Sequence, residues 1–183
     1  YLGHYYWENT YIKDTAKVDN KGAFRFSGTK PLAPGVYFIV LDKTKIFEIV
    51  VGEVQRFRME TKAADYVKHM VVTGDPDNRL FFENMNFNME RHQEAEPHIA
   101  VLKDSVASED AKKVAREAFT KINERVITYQ NDLLTKHPKT ITATLLRASQ
   151  PVKVPEPPKR PDGTIDSTFQ LKWYRQHYFD NID

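Results

Sequence analysis

Thr10–Val51, TYIKDTAKVDNKGAFRFSGTKPLAPGVYFIVLDKTKIFEIVV, is the stretch that decides the fold. Within it Phe24 and Phe26 alternate with Arg25 and Ser27, the period-two pattern of a half-buried strand. Asp19-Asn20-Lys21-Gly22 supplies residues for a tight turn before it, and together they predict a hairpin. Pro34-Gly35 then opens Val36–Leu41, an apolar run rich in β-branched and aromatic residues and too short for a typical helix. A central strand is expected there. Asp42–Lys45 turns it into Ile46–Val51, and connections this short predict antiparallel neighbours in a meander.

Upstream, Leu2–Trp7 is a strand dense in aromatics, with Tyr5 and Trp7 on one face and His4 and Tyr6 on the other. Glu8-Asn9-Thr10 turns the chain, and Tyr11–Val18 returns as a second strand. Downstream, Gln55–Glu60 alternates so that Phe57 and Met59 point inward, and Met70–Thr73 adds a last strand that stops at Gly74. Six to seven short strands predict a small antiparallel sandwich or partly open barrel over residues 1–74. The abrupt, aromatic start at Tyr1 reads as that of a fragment, cut at both ends or matured.

At Gly74 the period changes from two to about 3.6. Asp75 and Pro76 suit the N-cap and first helical position, Asp77 adds negative charge, and Phe81, Met85, Met89 and His92 follow at helical spacing. A helix over 76–94 is expected, ended or kinked at Pro97. Ser108-Glu109-Asp110 caps the strongest helix, whose apolar seam runs from Ala111 through Ile122 to Leu133 and stops at His137-Pro138. A shorter helix over 139–149 carries Ile141, Leu145 and Leu146, making a small bundle within residues 75–150. Pro151–Pro161 holds five prolines in eleven residues, so residues 151–165 read as an extended connector. Residues 166–183 then begin a further helix, capped by Asp166 or Ser167, with Phe169, Trp173 and His177 or Leu171, Tyr174 and Tyr178 as its apolar seams. The class is α+β.

A chain of 183 residues with net charge +2, from 27 Lys+Arg against 25 Asp+Glu, has no long block of one sign, which argues against nucleic acid as a partner. The absence of cysteine removes disulfides, thiolate catalysis and cysteine metal sites from this chain. No apolar run approaches the roughly 20 residues of a membrane-spanning helix. Phosphate-cradling glycine loops, a GxSxG elbow and an HExxH pair are all missing, so no catalytic residue and no cofactor is expected.

Three groups remain as sites. Tyr5, Trp7, Tyr11 and Tyr37 could form a platform for a carbohydrate or apolar ligand, although aromatic strand residues ordinarily pack in a core. His92 and His98, with Glu90, Glu94 and Glu96 around them, offer metal ligands. However, they lie six apart, on different helical faces and either side of Pro97, and solvated charge at a helix end is the ordinary reading. His177 with Asp180 and Asp183 could join a general base, but no nucleophile accompanies them. Asp162–Asp166 lacks the alternating acids and the distant Glu of a calcium loop, and a turn accounts for it.

The runs YLGHYYWENTYIKDTAKVDNKGAFRFSG, LAPGVYFIVL and VVTGDPDNRLFFENMNFNME resemble the uncharacterised N-terminal domains that precede a thioredoxin-like domain in exported bacterial thiol-disulfide oxidoreductases. HPKTITATLLRASQPVKVPEPP and DGTIDSTFQLKWYRQHYFDNID are similar to the helical module joining such a domain to the redoxin domain, and the motif from His177 to Ile182 is fairly specific. The resemblance also implies that the first strand of the β-module lies just before Tyr1. The resemblance implies a non-catalytic accessory region, exported to the periplasm or attached to the outer membrane as a lipoprotein through an anchor outside this chain. Its implied partners are its own C-terminal redoxin domain, envelope proteins or a second copy. The family's CxxC belongs to that following domain, so the resemblance carries no catalytic residue onto this chain. The alternative from another class is a stand-alone binding protein using the aromatic strand.

Overall fold

The computed structural model describes residues 1–159 and 163–181. Among these, β1 (Leu2–Tyr6), β2 (Asn9–Asp14), β3 (Gly35–Leu41), β4 (Thr44–Val51), β5 (Arg58–Glu60) and β6 (Val71–Thr73) come first. They are followed by α1 (Pro76–Lys103), α2 (Glu109–Lys136), α3 (Ile141–Ser149) and α4 (Phe169–His177). The class is α+β, with the antiparallel strands and the helices segregated along the chain.

The strands build a four-stranded sheet in the order β2-β1-β3-β4 and a separate β5-β6 hairpin. β3 is interior, as its unbroken apolar run predicts, with Leu2↔Ile39 on one side and Ile39↔Phe47 on the other. The expected meander is corrected in two respects. β3 pairs with β1 rather than with the strand before it, and Phe24–Phe26 is not a strand. The turn itself forms, with the Asp19 carboxylate accepting from Lys21 N at 2.8 Å and Ala23 N at 2.9 Å and Asp19 N donating to Ala23 O at 2.9 Å, but no strand continues from it. Both edges of β3 and of β1 are already occupied, so period-two patterning in residues 15–34 finds no interior edge to join. That segment is tied down instead by Gln55, whose side-chain amide accepts from Leu32 N (2.8 Å) and donates to Leu32 O (2.9 Å). Phe26 and Leu32 pack on the core from this loop.

Alternation along β3 and β4 sends Tyr37, Ile39, Phe47, Ile49 and Val51 into one core with Leu2 and with Phe82 of α1. Met59 and Val72 of the β5-β6 hairpin and Phe81 and Met85 of α1 close over it. On the opposite face Phe38 lies against the Tyr5 ring at 4.9 Å and directly over Gly3, where a Cβ would fall 2.2 Å from Phe38 Cε2. Only glycine fits that crossing. Gly74, at φ +90°, makes the bend between β6 and α1.

α1 runs through Pro97 to Lys103, which corrects the expected end near Glu94. Pro97 and Gln93 are both exposed, so the carbonyl that loses its helical donor faces water, and packing against α2 holds the two halves in line. α2 begins at the expected cap, with Ser108 Oγ accepting from Ala111 N, and ends before His137-Pro138. The helical hairpin is α1–α2, antiparallel, with Phe87 against Tyr129 and Glu94 against Arg125; α3 packs across one end on Leu133.

The proline-rich connector carries no helix or strand over residues 151–158. α4 folds back on it: Trp173 Nε1 donates to Lys153 O at 3.2 Å and Asn181 Nδ2 to Gln150 O at 3.1 Å, so the chain returns to the end of α3. Phe169, Trp173 and His177 form the sheltered seam of α4, while Leu171, Tyr174 and Tyr178 face solvent.

Candidate functional site

The four aromatic residues singled out from the sequence do not share one surface. Tyr37 is core, its hydroxyl donating to Ala33 O at 2.9 Å, and burial raises its pKa. Tyr5 lies on the face away from that core. Its ring covers Phe38, and its hydroxyl donates to the Glu48 carboxylate and accepts from Lys45 Nζ at 2.9 Å. Lys45 completes the triangle with Glu48 at 2.8 Å. Hydrogen bonds to Glu48 and Tyr5 push the Lys45 ammonium up. Partial burial alone would raise Glu48, but its two hydrogen bonds and the Lys45 charge outweigh that and leave it lowered. The cluster links β1 to β4 across β3 and holds both charges in their ionised forms, which makes it a clamp rather than a proton donor.

Trp7 is not in the strand. Tyr6↔Asn9 closes a two-residue loop, Trp7-Glu8, at the tip of the β1–β2 hairpin, with Trp7 at φ +55° and 87 % exposed. Tyr11 stands behind this tip on β2. It contacts Tyr6 edge-on at 6.4 Å and His4 at 5.8 Å, and His4 in turn meets Tyr37 at 5.9 Å. Trp7, Tyr6 and Tyr11 therefore form an exposed tip, with His4 leading from it into the core. β1 ends at Tyr6, one residue short of the expected Leu2–Trp7 strand, and the turn residue Glu8 is the sequence signal for that earlier end.

His92 and His98 both sit on α1 and point apart. His98 lines an open groove between α1 and α2 with Phe87, Glu94, Ile122, Arg125 and Tyr129, whereas His92 is exposed elsewhere. Glu94 bonds Arg125 and pairs with Arg91 at 3.1 Å; the Arg125 hydrogen bond lowers its pKa. Its charge is thus committed to guanidinium groups. Among the described residues no three His, Asp or Glu side chains gather as a metal-binding group. His177 Nδ1 lies 2.5 Å from Asp180 Oδ2 and its ring stacks on Trp173 at 4.1 Å, while Asp183 and Asp162 fall outside the described residues.

The most strongly built polar cluster is the one that the sequence marked only as a helix cap. Asn78 is 0 % exposed; it accepts from Val50 N at 2.9 Å and donates to Val50 O at 2.6 Å, closing the free edge of β4, and also donates to Asp75. Asp77 reaches the other way. Its carboxylate accepts from Ile141 N (2.7 Å), Thr142 N (3.1 Å) and Thr142 Oγ1 (2.6 Å), capping α3 from the first turn of α1. The segment Asp75–Asn78 thus joins sheet, α1 and α3, and its fully partnered groups mark it as a structural joint.

Residues 1–81 match the family model described as Domain of unknown function (DUF4369). The matched region holds both sheets, the aromatic hairpin and the Asp75–Asn78 joint, and stops within α1. No curated protein and no solved structure matches the chain.

Proposed function

We propose that the chain is a non-catalytic accessory region of an exported thioredoxin-like thiol-disulfide oxidoreductase, in the periplasm or on an outer-membrane lipoprotein, which positions the redox domain or presents a surface to a partner. The observation that carries this reading is the return of the chain at its C-terminal side, where Asn181 bonds the carbonyl of Gln150 at the end of α3. A domain joined after these residues starts beside the helical hairpin, and the rigid joint at Asp75–Asn78 relates that hairpin to the sheet. The resemblance of the chain's segments to the regions that precede a redoxin domain supports the same role. Thiol chemistry would come from the following domain, since this chain has no cysteine.

The test is the reading frame and intact mass of the natural protein, followed by thiol-disulfide exchange assays on the full product. The expected product carries a leader before Tyr1 and a CxxC domain after Asp183. Removing residues 1–181 should then leave reduction of a small disulfide intact and slow reduction of a protein substrate. A mature product ending near Asp183 overturns the reading.

A further inference from the structure

We infer that the tip of the β1–β2 hairpin, Tyr6 and Trp7 backed by Tyr11, is a stacking site for a neutral saccharide. The first observation is strain at a position that gives the fold nothing in return. Trp7 adopts φ +55°, a left-handed conformation rarely taken by a bulky residue, in a loop position where glycine is favoured. Its ring makes no aromatic contact among the described residues and is 87 % exposed. The β3–β4 turn fills its own left-handed positions, Asp42 (φ +48°) and Lys43 (φ +68°), with polar residues. Hairpin geometry therefore does not call for an indole, and strain of this kind gathers where a side chain is presented to something else.

The second observation is the chemistry around the rings. Tyr6 is 62 % exposed and Tyr11 49 %, so three ring faces stand open within one hairpin, each flat and stiff. Glu8, Asn9 and Thr10 rim them with exposed acceptors and donors. A pyranose offers the matching pair of features, a C–H face for the ring and equatorial hydroxyls for the rim. A helical peptide needs a groove with spaced pockets, which a protruding tip does not provide. The Glu8 carboxylate opposes an anionic lipid surface. Tyr5 and Tyr37 are excluded, the first held on the opposite face by Glu48 and Lys45 and the second buried. The inference is independent of the accessory role.

The chain has two tryptophans, so W173F leaves Trp7 as the single indole reporter. Chitohexaose, cellohexaose and neutral phosphatidylcholine vesicles are titrated separately against it, with calorimetry on the unaltered chain in parallel. The expected result is a saturable change in Trp7 emission with at least one hexasaccharide, and calorimetric binding weakened at least tenfold in both W7G and W7A. W7G should melt no lower than the unaltered chain and above W7A, because glycine relieves the left-handed strain while removing the ring. Lack of saturation with both sugars, a response to vesicles alone, or W7G binding unchanged overturns the proposal.

Discussion

At the scale of single residues, Asn78 and Glu48 carry the clearest consequences. Asn78 satisfies both polar groups of Val50 at a fully buried strand edge, so N78L leaves an N–H and a C=O stranded away from water. Each such group costs roughly 1–3 kcal/mol, and a loss of about 3 kcal/mol is expected in urea denaturation, with the m-value unchanged. Glu48 sets an acid dependence. Its carboxyl is lowered in the fold, so its contribution to stability is fully present above the unfolded pKa of about 4.3 and fades as pH falls through the folded value. Urea midpoints between pH 5 and pH 3 should therefore fall less steeply for E48Q than for the unaltered chain; parallel slopes would assign the acid loss to other carboxylates. Neither role was legible in the sequence. Asn78 read as one polar residue in a first turn, and Glu48 as one solvent-side residue in an alternating strand, because their partners stand 28 and 43 residues away.

At the scale of elements, α1 shows local preference and tertiary packing in opposition. Proline inside a helix removes a hydrogen bond and crowds the carbonyl four residues back, which made an end near Glu94 the natural reading. The helix persists because α2 lies along it, with Phe87 stacked on Tyr129 at 4.0 Å and Glu94 bonded to Arg125. P97A restores the missing N–H at an exposed position, and a gain of about 1–3 kcal/mol is expected in thermal or urea unfolding. A loss would mean that Pro97 shapes the hairpin. The caps of α1 and α2, by contrast, follow from short-range chemistry, and Asp75 and Ser108 behave as their positions suggest. α3 is capped by Thr140, inside the expected helix, with Thr140 Oγ1 accepting from Ala143 N, and α4 follows Thr168, which makes no side-chain cap bond, rather than Asp166 or Ser167. What the sequence concealed is that α3 has a second cap, Asp77, supplied from another helix.

At the scale of the whole molecule, the sheet core and the α1–α2–α3 group are joined at Asp75–Asn78, while α4 rests on the connector and, among the described residues, makes no extensive contact with another helix or strand. Truncation after Gln150 should therefore leave a chain that unfolds cooperatively with its melting temperature shifted by only a few degrees. Scanning calorimetry and circular dichroism of residues 1–150 would check this. A molten product would show that the returning segment 151–181 is part of the core rather than a clasp upon it.

The sequence by itself determined the strands at β1, β3 and β4, the central place of β3, the caps of α1 and α2, the stop of α2 at His137-Pro138 and the change of period at Gly74. All of these depend on residues close together in the chain, whose dihedral preferences and periodicity act locally. Only the tertiary structure decided which strand pairs with β1, that Phe24–Phe26 finds no partner, that α1 passes through Pro97 and that the connector turns back to Gln150. Those outcomes depend on which edges and faces are still unoccupied once the rest of the chain has packed, and no local pattern records that. The same division runs through the aromatic residues. Their spacing announced a strand, but packing sent Tyr37 into the core and Tyr5 to the opposite face, and left Trp7 exposed with Tyr6 and Tyr11 at the hairpin tip.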